Sequence, residues 1–316
     1  MKLAMLGGTN GHAPAVVLPE GVLDLVAAWS WLFPGDGGPP ASAVEMMGRE
    51  DLVPRLRQRI ADARLGAMDA YLRPLAGVRL APPVRSPGKF ICAASNYAAH
   101  IVESGRQPPP DRHVITPWLF LKPSTSIIGP GEPIPLPREA QAIDWEVELA
   151  VVIGRRGKCI PPERALAHVF GYTIVNDISE RRFKAPEGRP AREWDKFFDW
   201  LHGKWFDGFA PMGPWITTAD EIPDPQALAL ELRVNGQQRQ HGGTAEMIYP
   251  VAELVAFAST MMTLLPGDII ATGTPQGVGS ASGDRLKPGD VVECRVEGVG
   301  TLVNPVIAEE VGSPGT

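Results

Sequence analysis

Asp144-Trp145-Glu146-Val147-Glu148-Leu149-Ala150-Val151-Val152-Ile153-Gly154 decides how the chain is read. Its second half is a continuous apolar, β-branched run of the kind that forms a buried strand, where residues i and i+2 face the same way. Glu146 and Glu148 then stand side by side, Asp144 extends their row, and Trp145, Val147 and Leu149 pack on the opposite face. Two carboxylates aimed at one point beside a buried strand repel each other and suffer desolvation unless a cation sits between them. A divalent metal meets that need; the competing reading is an acidic face that meets water at the rim of an antiparallel sheet. Asp177 ends a second strand-like run, Gly171-Tyr172-Thr173-Ile174-Val175-Asn176-Asp177, and can close a three-oxygen site. Hard oxygen donors without a neighbouring His or Cys favour Mg, Mn or Ca over Zn or Cu.

Working outward, the 316 residues suffice for one large domain or two smaller ones. With 44% hydrophobic and 21% charged residues the composition is that of a globular protein. A formal charge of −6 without a basic block argues against nucleic acid or an anionic membrane as partner, which leaves a small metabolite. Cys92, Cys159 and Cys294 are far apart and in no ligand spacing, as expected of reduced thiols in a soluble, cytoplasmic protein. No apolar run approaches the length of a membrane span.

Residues 1–82 read as a small α+β accessory or cap domain. A short hairpin is expected near Lys2–Met5 and Ala15–Leu18, with helices over Val22–Leu32 and Leu52–Leu72, the latter carrying apolar residues at Leu52, Leu56, Ile60, Leu65 and Met68. Pro82-Pro83 and Pro87-Gly88 then mark a boundary, and residues 83–316 read as a second domain of many short strands with one or two helices. In that domain His100 and Glu103 are three apart, so one helical turn puts them on the same face, either as an oriented general base or as an exposed ion pair of no consequence. Gly105–Arg112, with three successive prolines, reads as a mobile loop or lid. Lys122 ends a strand and is either a substrate contact or a strand-end cation. Between Ile178 and Gly203, Arg181, Arg182, Lys184, Arg189, Arg192 and Lys196 alternate with aromatic residues, as a carboxylate-binding wall or a solvated loop does. Asn235-Gly236 predicts a type I′ hairpin, and Met247–Leu265 an amphipathic helix.

Six motifs, taken in order, resemble the fumarylacetoacetate hydrolase family over about residues 89 to 306. They are Ser95-Asn96-Tyr97-Ala98-Ala99-His100, Phe120-Leu121-Lys122-Pro123, Asp144-Trp145-Glu146-Val147-Glu148-Leu149, Asn176-Asp177-Ile178-Ser179-Glu180-Arg181, Gly203-Lys204-Trp205-Phe206-Asp207 and Thr272-Gly273-Thr274-Pro275-Gln276-Gly277-Val278-Gly279. The resemblance implies an α+β, mainly β fold, with a mixed β-sandwich or β-roll catalytic domain that works as a homodimer. It implies Mg2+ or Mn2+ held by Glu146, Glu148 and Asp177, His100 and Glu103 as the dyad that activates water, Lys204 as the enolate stabiliser, and Arg181 and Thr274 as substrate contacts. This chain departs from the pattern at Lys184, where several relatives carry glutamine, and in a longer 182–202 segment, expected to shape specificity. The activity implied is metal-dependent cleavage of a C–C bond in a β-diketo acid such as an acylpyruvate or fumarylpyruvate, in the catabolism of aromatic compounds. The same site also suits a 2-oxo acid decarboxylase, tautomerase or hydratase, and a non-catalytic metabolite-binding protein is a third reading.

Overall fold

Val147–Ile153 is a strand with every residue buried, and its side chains alternate between two cores. Val147, Leu149, Val151 and Ile153 enter one core, Ala150 and Val152 the other. The computed structural model describes residues 1–8, 11–63, 67–109, 111–138, 140–183, 186 and 188–309. Leu65 and Lys184 therefore lie outside the described residues.

The central strand pairs antiparallel with Val169–Asn176 on one side and with Ile269–Ala271 on the other. The sheet continues beyond Ile269–Ala271 through the parallel strand Phe90–Ala94 to Trp118–Leu121. In the other direction it runs through Ala210–Thr218 to Lys2–Gly8, and then to Gly11–Leu18, Gly21–Asp24 and Leu72–Arg73. One large sheet thus spans both expected domains: Lys2 and Leu3 register with Thr217 and Ile216, so the N-terminal residues extend the sheet edge to edge.

A second sheet, in the order Gln237–Gly243, Ala229–Val234, Val291–Val296, Gly300–Ala308 and Ile134–Leu136, covers one face of the first. Leu230, Leu232, Val292, Val296, Leu302 and Val306 from its inner face join the core on the Val147, Leu149 and Val151 side. Helix Val251–Met261 adds Val251, Leu254, Val255 and Ala258 to that core. The fold is mixed and mostly β, a layered arrangement with no closed barrel.

Three expected elements change at their ends for identifiable reasons. Val22 and Leu23 are strand residues paired with Val17 and Val16, and the helix begins only at Leu25, because Asp24 accepts from the N–H groups of Val26 and Ala27 as its N-cap. The helix expected over Leu52–Leu72 ends at Asp62, and Leu72 pairs with Leu23 instead. The Met247–Leu265 helix contracts to Val251–Met261, since Met247 bridges to Tyr97 and Leu264 to Gly157 in extended conformation. The Asn235-Gly236 hairpin forms as read, with φ of 53° and 77° at its two turn residues.

Candidate metal centre

The chain reaches the site where the central strand begins. Glu148 lies within the strand, and Glu146 lies two residues earlier, just outside it. Its backbone carbonyl accepts from Asp177 N–H at 2.9 Å and its N–H donates to Asn176 Oδ1 at 2.9 Å. These two bonds lock the end of one strand to the end of its neighbour. Glu146, Glu148 and Asp177, all buried, bring one carboxylate oxygen each within 4.8 Å of one another. Asp144 does not extend the row. It is turned away to accept from the N–H groups of Gly279 at 2.6 Å and Ser280 at 3.0 Å and from Arg181 Nε at 2.8 Å.

Two lysines answer the three carboxylates. Lys204 Nζ donates to Glu146 Oε2 and Asp177 Oδ2, each at 2.7 Å, and lies 5.4 Å from the centre of the Phe120 ring. Lys122, expected either as a substrate contact or as a strand-end cation on the surface, is instead buried behind the site. Its Nζ donates to Asp177 Oδ1 at 2.6 Å and to the Ile178 carbonyl at 3.2 Å, and it is not part of the cavity wall. Arg181 joins Asp144 to Glu146. Burial pushes the Glu146 carboxyl up, but Arg181 and then Lys204 outweigh it and hold the group at about 2. Burial, then Asp177 and Glu146, push the Glu148 carboxyl well above the ordinary carboxylate range. Glu148's only direct partner among the described residues is the Gly273 N–H, at 2.8 Å. A buried carboxylate so poorly compensated, facing two others, fits a hard divalent cation of the Mg2+ or Mn2+ kind.

His100 and Glu103 share one face of helix Ala98–Glu103, with Nδ1 and Oε1 2.7 Å apart. Glu103 Oε2 accepts from Gly277 N–H at 2.7 Å, so the carboxylate is held at both oxygens. Thr274 Oγ1 donates to the Val147 carbonyl and accepts from Gln240 Nε2, both at 2.8 Å. Gln240 escaped the reading of the sequence. It is fully buried on the second sheet, accepts from Val147 N–H at 3.0 Å, and donates also to the Pro275 carbonyl, tying the central strand to the 272–279 turn. Asn96 does the same on the other side, donating to the carbonyls of Tyr249 and Thr272 and accepting from Tyr249 N–H. Gly273, at φ +89°, sits where a Cβ would come within 2.8 Å of Asn96 Cβ, so only glycine fits this close approach.

These groups open into one cavity of about 620 Å³, walled by His100, Glu146, Glu148, Asp177, Arg181, Lys204 and Thr274 together with Trp118, Phe120, Phe197 and Trp200. Of the basic segment, Arg189 pairs with Asp199 and Arg192 with Asp195, Arg182 turns to a different cleft, and Arg181 and Lys196 alone of the described cations in the segment reach the cavity. The Gly105–Arg112 loop is tethered to the body through Arg112, which meets Tyr249 and Glu253, and it delivers Arg106 to the cavity. Among the described residues no helix is long and apolar enough to cross a membrane.

The fumarylacetoacetate hydrolase C-terminal domain model matches residues 89–307. An uncharacterized protein of Pyrococcus abyssi is 47% identical over 224 residues, 71% of this chain and 92% of that protein. The crystal structure of maleylpyruvate hydrolase from Sphingobium sp. SYK-6 in complex with manganese(II) and pyruvate superposes with a TM-score of 0.73 at 31% identity, covering 98% of this chain and 100% of that one. That of 5-carboxymethyl-2-hydroxymuconate delta-isomerase from Mycobacterium smegmatis does so with a TM-score of 0.70 at 34% identity, over 98% and 100% of the two chains. Sequence and fold agree: the chain belongs to the fumarylacetoacetate hydrolase family.

Proposed function

We propose that this protein is a metal-dependent hydrolase that cleaves a C–C bond in a β-diketo acid of the acylpyruvate or fumarylpyruvate type. The observation that carries the reading is the convergence of Glu146, Glu148 and Asp177, buried, on one point of a cavity that also holds His100 and Lys204. The three carboxylates are the ligands of Mg2+ or Mn2+, which when bound supplies a Lewis acid for the oxygens of a 2-oxo acid.

Glu103 takes the Nδ1 proton of His100 as hydrogen-bond partner, which leaves Nε2 as the base toward the cavity. His100 removes a proton from water as its oxygen attacks the distal carbonyl carbon. The C–C bond breaks with its electron pair passing to the pyruvate half as an enolate, and the imidazolium returns the proton to carbon. Lys204 stabilises the negative charge that develops on the enolate oxygen, and Arg181 holds the carboxylate of the pyruvate half. Thr274 fixes the wall beside them through its own two hydrogen bonds.

A tautomerase, decarboxylase or hydratase on the same centre is the second reading, favoured by the isomerase among the similar structures. The fall in ultraviolet enol absorbance of a panel of acylpyruvates and fumarylpyruvate, with chelator and then with Mn2+, separates the two. Manganese-dependent loss of absorbance with pyruvate released supports the hydrolase. No change on the panel with consumption of oxaloacetate moves the assignment to the second reading. The proposal extends to a cytoplasmic homodimer in which residues 83–316 carry the chemistry and residues 1–82 are an accessory unit built onto its sheet.

A further inference from the structure

A second cavity adjoins that of the carboxylates, and nothing in the chemistry above uses it. It encloses about 410 Å³, within the roughly 300–1,000 Å³ of sites for small molecules. Ala94, Ser95, Arg106 and Trp118 line both spaces, so the two abut along these residues. The remaining wall of the second cavity includes Ile101, Pro109, Ile115 and Ile248, and among the described residues it carries no carboxylate. Helix Ala98–Glu103 serves both spaces: His100 lines the first, and its neighbour Ile101 lines the second.

One side of this second cavity is fixed and the shared wall is not. Ile248 N–H donates to the Asn96 carbonyl at 2.7 Å, and Tyr249 N–H to Asn96 Oδ1 at 2.8 Å. Arg112 pairs with Glu253 at 3.2 Å and its carbonyl accepts from the Tyr249 hydroxyl, which anchors one end of the Gly105–Arg112 loop. Arg106, near the other end, is exposed and donates to two neutral hydroxyls, Ser104 Oγ at 2.9 Å and Ser95 Oγ at 3.0 Å. Water replaces such bonds at an exposed site for little net cost, so this side chain is a movable part of the shared wall.

The chemistry gives the second cavity an occupant. In the reaction proposed above, the water activated by His100 attacks the distal carbonyl carbon, which puts that carbon beside His100. The acyl arm continues from it, away from the 2-oxo acid head, and the second cavity begins one residue along the same helix, at Ile101. An apolar wall takes alkyl or aryl carbons, each buried methylene tightening binding about fourfold.

Resting on the reading of the site as one for 2-oxo acids, we propose that the second cavity is the acyl-arm subsite and that Ile101, Ile115 and Ile248 determine specificity there. The substrate class is a 2-oxo acid with an extended apolar acyl arm, which passes Arg106 and seats among the three isoleucines.

The test compares two 2-oxo acids that the proposed hydrolysis cannot cleave, by calorimetric titration of the Mn2+-loaded protein. 2-Oxobutanoate ends where the distal carbonyl carbon would sit, and 2-oxooctanoate carries an alkyl arm beyond that point. We expect 2-oxooctanoate to bind at least about tenfold more tightly. Ile115 is 40% exposed, so substitutions there spare the core. Ile115→Trp, which fills the subsite, and Ile115→Asp, which puts a charge in it, each lower the ratio of the two affinities at least about fivefold and leave 2-oxobutanoate binding as it was. Val114→Trp, at a neighbouring exposed position outside both walls, keeps the wild-type ratio. Equal, Mn2+-dependent affinities in the wild type, a ratio that survives both Ile115 variants, or one that Val114→Trp lowers as much, overturn the proposal and leave the 2-oxo acid site standing. If neither ligand binds in a Mn2+-dependent way, the underlying reading of the site falls, and the proposal with it.

Discussion

The carboxylate of Glu103 bonds the backbone N–H of Gly277 at 2.7 Å, across 174 residues of sequence, while its other oxygen meets the His100 ring. The dyad is therefore aligned by the 272–279 turn as much as by its own helix. Gly277 has φ +98°, and a Cβ there would fall 2.2 Å from the Arg239 carbonyl. Gly277→Ala must displace the turn, and with it the Glu103 anchor. A fall of about 10²-fold in kcat with a small change in KM is expected, accompanied by a lower Tm. Glu103→Ala should lose a similar factor in kcat at an unchanged Tm; full activity in it would sink the dyad.

Lys204 spans Glu146 and Asp177, two of the three carboxylates that a metal needs. In the proposed reaction its ammonium competes with the ion at the carboxylates and then acts on the enolate. Lys204→Met is predicted to lower kcat by about 10²–10³-fold, the range for loss of one oxyanion stabiliser, while Mn2+ binds more tightly. Titration of the variant with Mn2+ under turnover reads both effects at once, and weaker metal binding would contradict the competition.

Lys122 is a structural cation. Its Nζ is enclosed with Asp177 and the Ile178 carbonyl, and removing one partner of such a pair costs about 3–5 kcal/mol. Lys122→Met should show that loss in urea denaturation together with weaker Mn2+ binding. A variant of normal stability and metal affinity with only KM raised would restore Lys122 as a substrate contact.

Burial, then Asp177 and Glu146, raise the Glu148 carboxyl well above its ordinary value. The metal-free fold thus holds a proton that the unfolded chain releases. Its contribution to stability is full below the ordinary carboxylate pKa and is lost as pH rises toward the raised one. Metal binding must expel the same proton, so Mn2+ affinity rises with pH and the Tm gained from Mn2+ grows from pH 5 to pH 8. Thermal unfolding with chelator and with Mn2+ across that range checks the sign; a gain that shrinks with pH would refute it.

What the sequence disclosed follows the range over which each feature is determined. Alternation in Trp145-Glu146-Val147-Glu148-Leu149 is local, and it sorted the apolar side chains into the core and the carboxylates toward the cavity as read. Asp144 broke the pattern because Gly279 and Ser280, far along the chain, supply two N–H donors to it. Gln240 shows a subtler loss. The Asn235-Gly236 turn pairs Val234 with Gln237 and Arg233 with Gln238, which by simple continuation sets Arg239 opposite Leu232. A bulge shifts the register and sets Gln240 there instead, facing the core. One inserted residue hides the group that pins Val147 to Thr274. Lys122 and Lys204 each sit inside a short motif beside aromatic residues, yet Lys204 lines the cavity and Lys122 backs it, a difference that only tertiary packing decides.

The pairing of Lys2 and Leu3 with Thr217 and Ile216 has a consequence for synthesis. The hairpin of Lys2–Gly8 with Gly11–Leu18 has both its strands as soon as it leaves the ribosome, and Leu80–Ala81 is the next to cover the Met5–Leu6 part of its free edge. The Lys2–Leu3 part must wait for a strand made some two hundred residues later, on the order of ten seconds or more at ordinary translation rates. During that interval the nascent chain exposes an apolar strand edge that can pair with another copy. The vulnerable period for this fold is the synthesis of residues 82 to 210, and slow elongation there lengthens it.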